Sequence, residues 1–152
     1  MTADRETGGP TVACLYYELR ESVEANRERL VAGVEEALAD ADVVVGPETA
    51  TIGIELDPPE IADAAESLHG ETVKRVREVV EREGGVAVFG IPERADGEVY
   101  NACVLLEPGC EPRVYRQREY EYTHGWTTAH GEFRVFDTGM GRAAPAVCAD
   151  LG

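Results

Sequence analysis

The chain has 152 residues, enough for one domain with a hydrophobic core, and 43% of them are hydrophobic, as in an ordinary globular protein. Its 30 acidic residues against 14 basic ones give a formal net charge of −16, and Lys74 is the single lysine. Such an acidic surface repels phosphate backbones and anionic membranes, which excludes nucleic acid and membrane surfaces as expected partners. Because the acidic residues are dispersed along the chain, we interpret them as belonging to the solvated helix faces of a halophilic protein, one adapted to high salt.

The sequence also indicates a cytoplasmic location. No apolar stretch is long enough to span a membrane, and the N-terminus lacks the basic and apolar regions of a signal peptide. The cysteines show no CxxC or metal-type spacing, so we expect reduced thiols rather than disulfides. The histidines form no helical pair with a carboxylate, which favours polar surface positions over metal ligands. We therefore expect neither a metal nor another cofactor.

The first third of the chain predicts a strand, a helix and a second strand. Residues 1–10 are expected to form a flexible tail. Thr11–Tyr17 is a short apolar run that favours a strand, and Ser22–Ala39 has apolar residues at helical spacing. Asp42–Gly46 is apolar throughout, which is typical of a strand buried on both faces. It leads directly into Pro47 and Glu48.

The middle of the chain continues the alternation of helices and strands. After a loop over Thr49–Pro59, a second helix is predicted over Pro59–Glu83, broken near His69-Gly70 and closed by two glycines. Val86–Ile91 is another fully apolar strand. Apolar strands separated by long amphipathic helices predict a layered α/β fold.

The last third predicts mainly strands. Val99–Leu106 and Pro112–Tyr115 are separated by a turn and are expected to pair as a hairpin. The polar stretch over Arg116–Gly131 has no clear period and is expected to be a loop. Phe133–Asp137 alternates as a strand, and a final strand is predicted to end at Cys148.

Two residues stand where α/β proteins place chemistry. Glu48 follows a buried strand at its C-terminal end, the edge at which open α/β sheets bind ligands, and a carboxylate there can act as a general base. Cys148 follows an apolar run and precedes a sharp polar break, a position suited to a nucleophile. The alternatives are that Glu48 caps a turn or is merely exposed, and that Cys148 is an inert small hydrophobe. Cys14 and Cys103 fit that inert role inside strands, and Cys110 is expected to be exposed in a turn.

Four blocks in order make the chain resemble the nitrilase, or carbon–nitrogen hydrolase, superfamily. They are the opening strand with the helix containing VEANRERL, the VVVGPE segment, FGIPER with VYNACVLLEPG, and FRVFDTGMGRAAPAVCADL. The resemblance covers nearly everything after Thr11. It implies an αββα sandwich, with residues 11–152 as the N-terminal part of a domain nearly twice as long, incomplete at the C-terminus. It further implies a homo-oligomer for the full domain.

The resemblance implies a catalytic triad of glutamate, lysine and cysteine that hydrolyses a small amide or nitrile through a thioester. Glu48 matches the base and Cys148 the nucleophile, and the backbone N–H of Ala149 is expected near the oxyanion. The position of the lysine is occupied by Gln117, which carries no charge. Arg116 or Arg118 is an alternative source of positive charge, although neighbouring side chains on a strand point to opposite faces.

The family's second glutamate has no secure counterpart, and Glu121 or His124 is a candidate for its place. The neutral Gln117 and the short chain leave an alternative function open. In that alternative the chain is a catalytically impaired relative, or a fragment, with a binding role or no independent role. We expect the missing half of the sandwich to leave apolar strand faces bare and the isolated chain to be unstable or to need a partner.

Overall fold

The computed structural model describes residues 8–19, 22–52, 57–118, 125–130 and 132–151. Within these ranges the chain forms seven strands, three α-helices and a terminal 3₁₀ turn. In chain order they are β1 (Val12–Cys14), α1 (Val23–Leu38), β2 (Val43–Val45), α2 (Pro58–Ala64), α3 (Glu71–Glu83), β3 (Val86–Ala95), β4 (Glu98–Leu106), β5 (Arg113–Arg116), β6 (Phe136–Thr138), β7 (Gly141–Ala143) and the 3₁₀ turn (Cys148–Leu151).

Five of the strands form one mixed sheet in the order β1-β2-β3-β4-β5. The first three strands are parallel, and their connections contain the helices, as parallel pairing requires. β3, β4 and β5 are antiparallel neighbours, which confirms the predicted hairpin between the last two. β3 runs four residues beyond its predicted end at Ile91, because its pairing with β4 continues as far as Ala95↔Glu98.

The helices begin and end close to their predicted positions. Ser22 caps α1, its hydroxyl accepting the N–H of Ala25 at 3.1 Å. The predicted break in the second helix is confirmed, since the chain leaves the helical conformation after Ala64 and resumes it at Glu71. α3 ends at Gly84, whose φ of 86° lies in the left-handed region that glycine tolerates.

The core lies between α1, α3 and one face of the five-stranded sheet. Strand side chains alternate between faces, so every second residue of β2, β3 and β4 enters this core. The core residues of these strands are Val44, Ala87, Phe89, Ile91, Val104 and Leu106. The helices contribute apolar residues at their own spacing, among them Leu30, Val34, Val73, Val76 and Val80.

The other face of the sheet is only partly covered. Val12 is 54% exposed and Val45 is 36% exposed. The expectation that Asp42–Gly46 is buried on both faces is therefore wrong at Val45, because α1 and α3 pack on one face alone. The interpretation of Cys14 as a buried small hydrophobe is also wrong. Cys14 is exposed, since β1 forms the edge of the sheet.

The end of the described chain differs from the prediction. No strand leads into Cys148; the last one, β7, ends at Ala143, and Cys148 opens the 3₁₀ turn. Pro145 has no backbone N–H to donate to a neighbouring strand, which is consistent with the irregular conformation of residues 144–147. Residues 1–7 of the predicted tail lie outside the described residues. None of the described helices has the length and apolar character needed to cross a membrane.

Candidate active site

Glu48 lies just beyond the C-terminal end of β2, as predicted. Two backbone hydrogen bonds fasten its loop to β3, from Gly90 N–H to the Pro47 carbonyl (3.0 Å) and from Ala50 N–H to the Gly90 carbonyl (2.8 Å). The next residue, Thr49, is fully buried with a φ of 45°, a left-handed conformation that is rare for a β-branched residue. Packing and hydrogen bonding therefore hold the backbone at Glu48 in one position.

Glu48 and Cys148 line the same cleft, which has a volume of about 420 Å³. One wall is the sheet face opposite the helices, with Val43, Val88 and Leu105, and the other is the segment 143–148. Cys148 is exposed and has a φ of 49°, so the chain turns sharply at this residue. The structure thus brings the two sequence-predicted residues to one cavity, with the thiol accessible to small molecules.

Asn101 connects Glu48 to Gln117. Its side-chain Nδ2 donates to Glu48 Oε1 at 2.6 Å and to Gln117 Oε1 at 2.9 Å. Asn101 is only 3% exposed, and among the described residues its Oδ1 has no hydrogen-bond partner. Sequence reasoning did not single out this residue. A signal was present, because an asparagine inside the apolar run of β4 requires buried partners.

Gln117 follows β5 and is 3% exposed. Its amide oxygen is held by Asn101, and its backbone N–H donates to the Asn101 carbonyl at 2.9 Å. The two alternative cations are engaged elsewhere. Arg116 forms a bidentate pair with the buried Glu93 at 2.6 and 2.8 Å, and the Arg118 guanidinium lies 4.9 Å from the centre of the Phe133 ring. Neither arginine lines the cleft, and neither does Gln117, which is joined to Glu48 through Asn101.

Asp150 fastens the turn that carries Cys148. Its Oδ2 accepts hydrogen bonds from the Val147 N–H (3.0 Å) and the Tyr115 hydroxyl (2.9 Å), while its Oδ1 accepts one from the Arg118 N–H (2.9 Å). Burial and the nearby carboxylate raise the pKa of Tyr115 above its ordinary value, so the phenol keeps its proton. The sequence placed Asp150 in a family-like motif and gave it no role. Ala149 lies in the same turn.

Cys103 lines the cleft, whereas Cys110 does not. Cys103 is partly buried in β4, and burial raises the pKa of its thiol to about 12. Cys110 is partly buried, with its sulfur 3.9 Å from Glu107 Oε2, so the expectation that it is exposed is wrong. Glu121 and His124, considered for the second glutamate, lie outside the described residues. Across the described ranges, no group of three or more His, Cys, Asp or Glu side chains is arranged to hold a metal ion.

Comparison with proteins of known sequence identifies relatives of this chain. It is 30% identical over 112 residues to an (R)-stereoselective amidase of a Pseudomonas species, covering 74% of this chain and 39% of the amidase. It is 33% identical over 86 residues to a Pseudomonas protegens hydrolase encoded in the pqqF 5′ region, covering 56% of this chain and 30% of that hydrolase. These names denote hydrolytic enzymes and give no support to the alternative of a non-catalytic relative. The chain spans well under two thirds of either relative.

Solved structures share the fold. XC1258 of Xanthomonas campestris, a CN-hydrolase superfamily protein, superimposes with a TM-score of 0.80 at 24% identity, covering 95% of this chain and 55% of that one. A carbon–nitrogen hydrolase of Helicobacter pylori G27 gives a TM-score of 0.80 at 20% identity, covering 92% of this chain and 51% of that one. The expected nitrilase-like α/β fold is therefore confirmed, with this chain corresponding to about half of each solved domain. A sequence model of the carbon–nitrogen hydrolase family matches residues 11–152, and the chain belongs to that family.

Proposed function

We propose that the protein hydrolyses the C–N bond of a small amide, with Cys148 as the nucleophile and Glu48 as the base. The observation that carries this proposal is the shared cleft, into which an exposed thiol and a carboxylate fixed by Asn101 both open. The name of the Pseudomonas amidase supports an amide rather than a nitrile as the substrate.

In the first half of the reaction, Glu48 takes the proton of the Cys148 thiol, and the sulfur attacks the carbonyl carbon of the amide. The carbonyl π electrons move to oxygen, which becomes the oxyanion of a tetrahedral intermediate. When the C–N bond breaks, the protonated Glu48 returns its proton to the departing nitrogen. Ammonia or an amine leaves, and the acyl group remains on Cys148 as a thioester.

In the second half, Glu48 removes a proton from a water molecule, which attacks the thioester carbon. The C–S bond breaks, the carboxylic acid is released, and the sulfur regains a proton from Glu48. The same carboxylate thus serves both steps, which requires that its position remain fixed throughout. The hydrogen bond from Asn101 and the buried Thr49 support that requirement.

Two groups are assigned to the oxyanion in this proposal. The backbone N–H of Ala149 belongs to the turn that carries the nucleophile, and the Gln117 amide occupies the position of the family's lysine. Neutral donors are about half as strong as charged ones, so a slower reaction is expected than with a lysine.

The test is release of ammonia from short-chain amides by the purified protein, measured for the wild type, Cys148→Ala and Glu48→Gln. We expect both variants to lose activity and Cys148→Ala to lose acylation by a radiolabelled substrate. Cys110→Ala is the matched control, since this cysteine lies outside the cleft. Hydrolysis that survives in Cys148→Ala rules out the proposed nucleophile.

A further inference from the structure

The turn at Cys148 needs an external constraint to keep its shape. Cys148 has a left-handed backbone φ of 49°, which residues other than glycine rarely adopt, and the preceding residues 144–147 belong to no strand. Val147 is 7% exposed, and its carbonyl accepts the Asp150 N–H at 3.1 Å. This bond closes the turn on itself and does not fix it relative to the sheet.

The Asp150 carboxylate supplies that fixed connection. It is 9% exposed and accepts three hydrogen bonds, one from the residue before Cys148 and two from residues at the end of β5. Tyr115, which provides one of the latter two, is 3% exposed and pairs with Cys103 in the sheet. Its ring also stacks on Phe133 at 5.9 Å between centroids. The anchor is therefore part of the packed structure rather than a surface contact.

The same strand, β5, also leads to the rest of the candidate site. In the sequence, Gln117 lies between Tyr115 and Arg118, two of the partners of Asp150, and it is joined through Asn101 to Glu48. A continuous chain of contacts therefore links the thiol to the carboxylate, from Cys148 through Asp150 and β5 to Glu48. From these contacts we infer that Asp150 is a positioning residue that, together with Tyr115, keeps the Cys148 side chain in place relative to the Glu48 carboxylate. This inference rests on the proposed role of Cys148 as the nucleophile.

Asp150→Asn tests the inference with little change of volume. An amide has one acceptor oxygen, so it cannot accept from Val147 N–H and Arg118 N–H on its two sides as the carboxylate does. We expect one of these backbone amides to lose its protection from hydrogen exchange. We expect kcat for amide hydrolysis to fall about tenfold to a hundredfold with KM within a factor of about two, because a small displacement of the nucleophile affects the reacting state and not binding.

Tyr115→Phe keeps the stacked ring and removes one of the three bonds. It should lower kcat by a smaller factor, and the double variant should fall by less than the product of the two single effects, because both changes act on the hydrogen bonds of the same side chain. This second variant decides the question if Asp150→Asn does not fold. Glu107→Gln is the matched control, since Glu107 also ties a loop to β5, through Gly139 and Arg113, and lies outside the cleft.

The outcomes separate the two proposals. An unchanged kcat and unchanged exchange in folded Asp150→Asn overturn the positioning role, as does a loss no larger than that of Glu107→Gln. If the wild type releases no ammonia, the proposed function fails, while the exchange of the Val147 and Arg118 amides still reports on the contact. Loss of protection at either amide in Asp150→Asn then supports the anchor, and retained protection at both amides refutes it.

Discussion

Gly90 allows the loop of Glu48 to lie directly against β3. A Cβ placed on Gly90 would lie 2.5 Å from the Thr49 nitrogen and 2.9 Å from the Glu48 Cα, both of which are backbone atoms. The first distance is roughly 1 Å shorter than an ordinary contact, and no flexible side chain is available to move away. Gly90→Ala must therefore displace the backbone at Glu48 or β3. We expect a loss of about 1–3 kcal/mol in stability, as in other overpacked cores.

The same displacement should affect hydrolysis more strongly than stability. A shift of about 1 Å in a catalytic group lowers the rate by about a hundredfold, whereas 1–3 kcal/mol lowers the melting temperature by only about 2–12 °C in a domain of this size. The assay is kcat for ammonia release together with thermal unfolding. Gly33→Ala is the control, because its Cβ would meet only side-chain atoms of Leu15, the nearest at 3.3 Å, and no backbone. Wild-type kcat and melting temperature in Gly90→Ala would refute the reasoning.

Three further changes have defined outcomes. Gln117→Lys brings an ammonium group toward Glu48 and should raise the amide hydrolysis rate; no gain would show that the missing charge is not what limits the reaction. Arg116→Met leaves Glu93, which is 1% exposed, without its bidentate partner, and urea unfolding should show a loss of about 3–5 kcal/mol. Burial raises the pKa of Tyr17 from 10.0 to about 12, so its stabilising contribution is complete below pH 10.0 and is lost as the pH rises towards 12. Tyr17→Phe should therefore reduce the fall in melting temperature over that range.

The regular elements could be predicted because their signals are local. The helical spacing of Val23–Leu38, the serine before it and the glycine after α3 all belong to the segment they define. Burial on the second face of the sheet could not be predicted in this way. The apolar run of β2 indicates a strand, but whether Val45 meets another layer depends on which elements cover that face. The sequence of β2 is the same whether or not a second layer covers that face.

The candidate site was predictable only where a residue type carries its own signal. A glutamate after a buried strand and a cysteine before a polar break are such signals, and both line the cleft. Asn101 stands out only as a polar residue in an apolar run, and the sequence does not show its partners. Glu48 and Gln117, like the Tyr115 and Arg118 partners of Asp150, are distant in the chain. The segment 144–147 was mistaken for a strand because its apolar residues outweighed the effect of Pro145.

The alternation of the sheet separates the core from the candidate chemistry. On β2, β3 and β4, one set of alternate residues packs against α1 and α3, and the opposite set faces the cleft. Asn101 lies in the same alternation along β4 as Cys103 and Leu105, which line the cleft, and there it links Glu48 to Gln117 without interrupting the apolar layer. Substitutions on the cleft face should therefore change hydrolysis without loss of the helix-packed core. Gly90 is the exception, because its backbone serves both as a part of the sheet and as the support of Glu48.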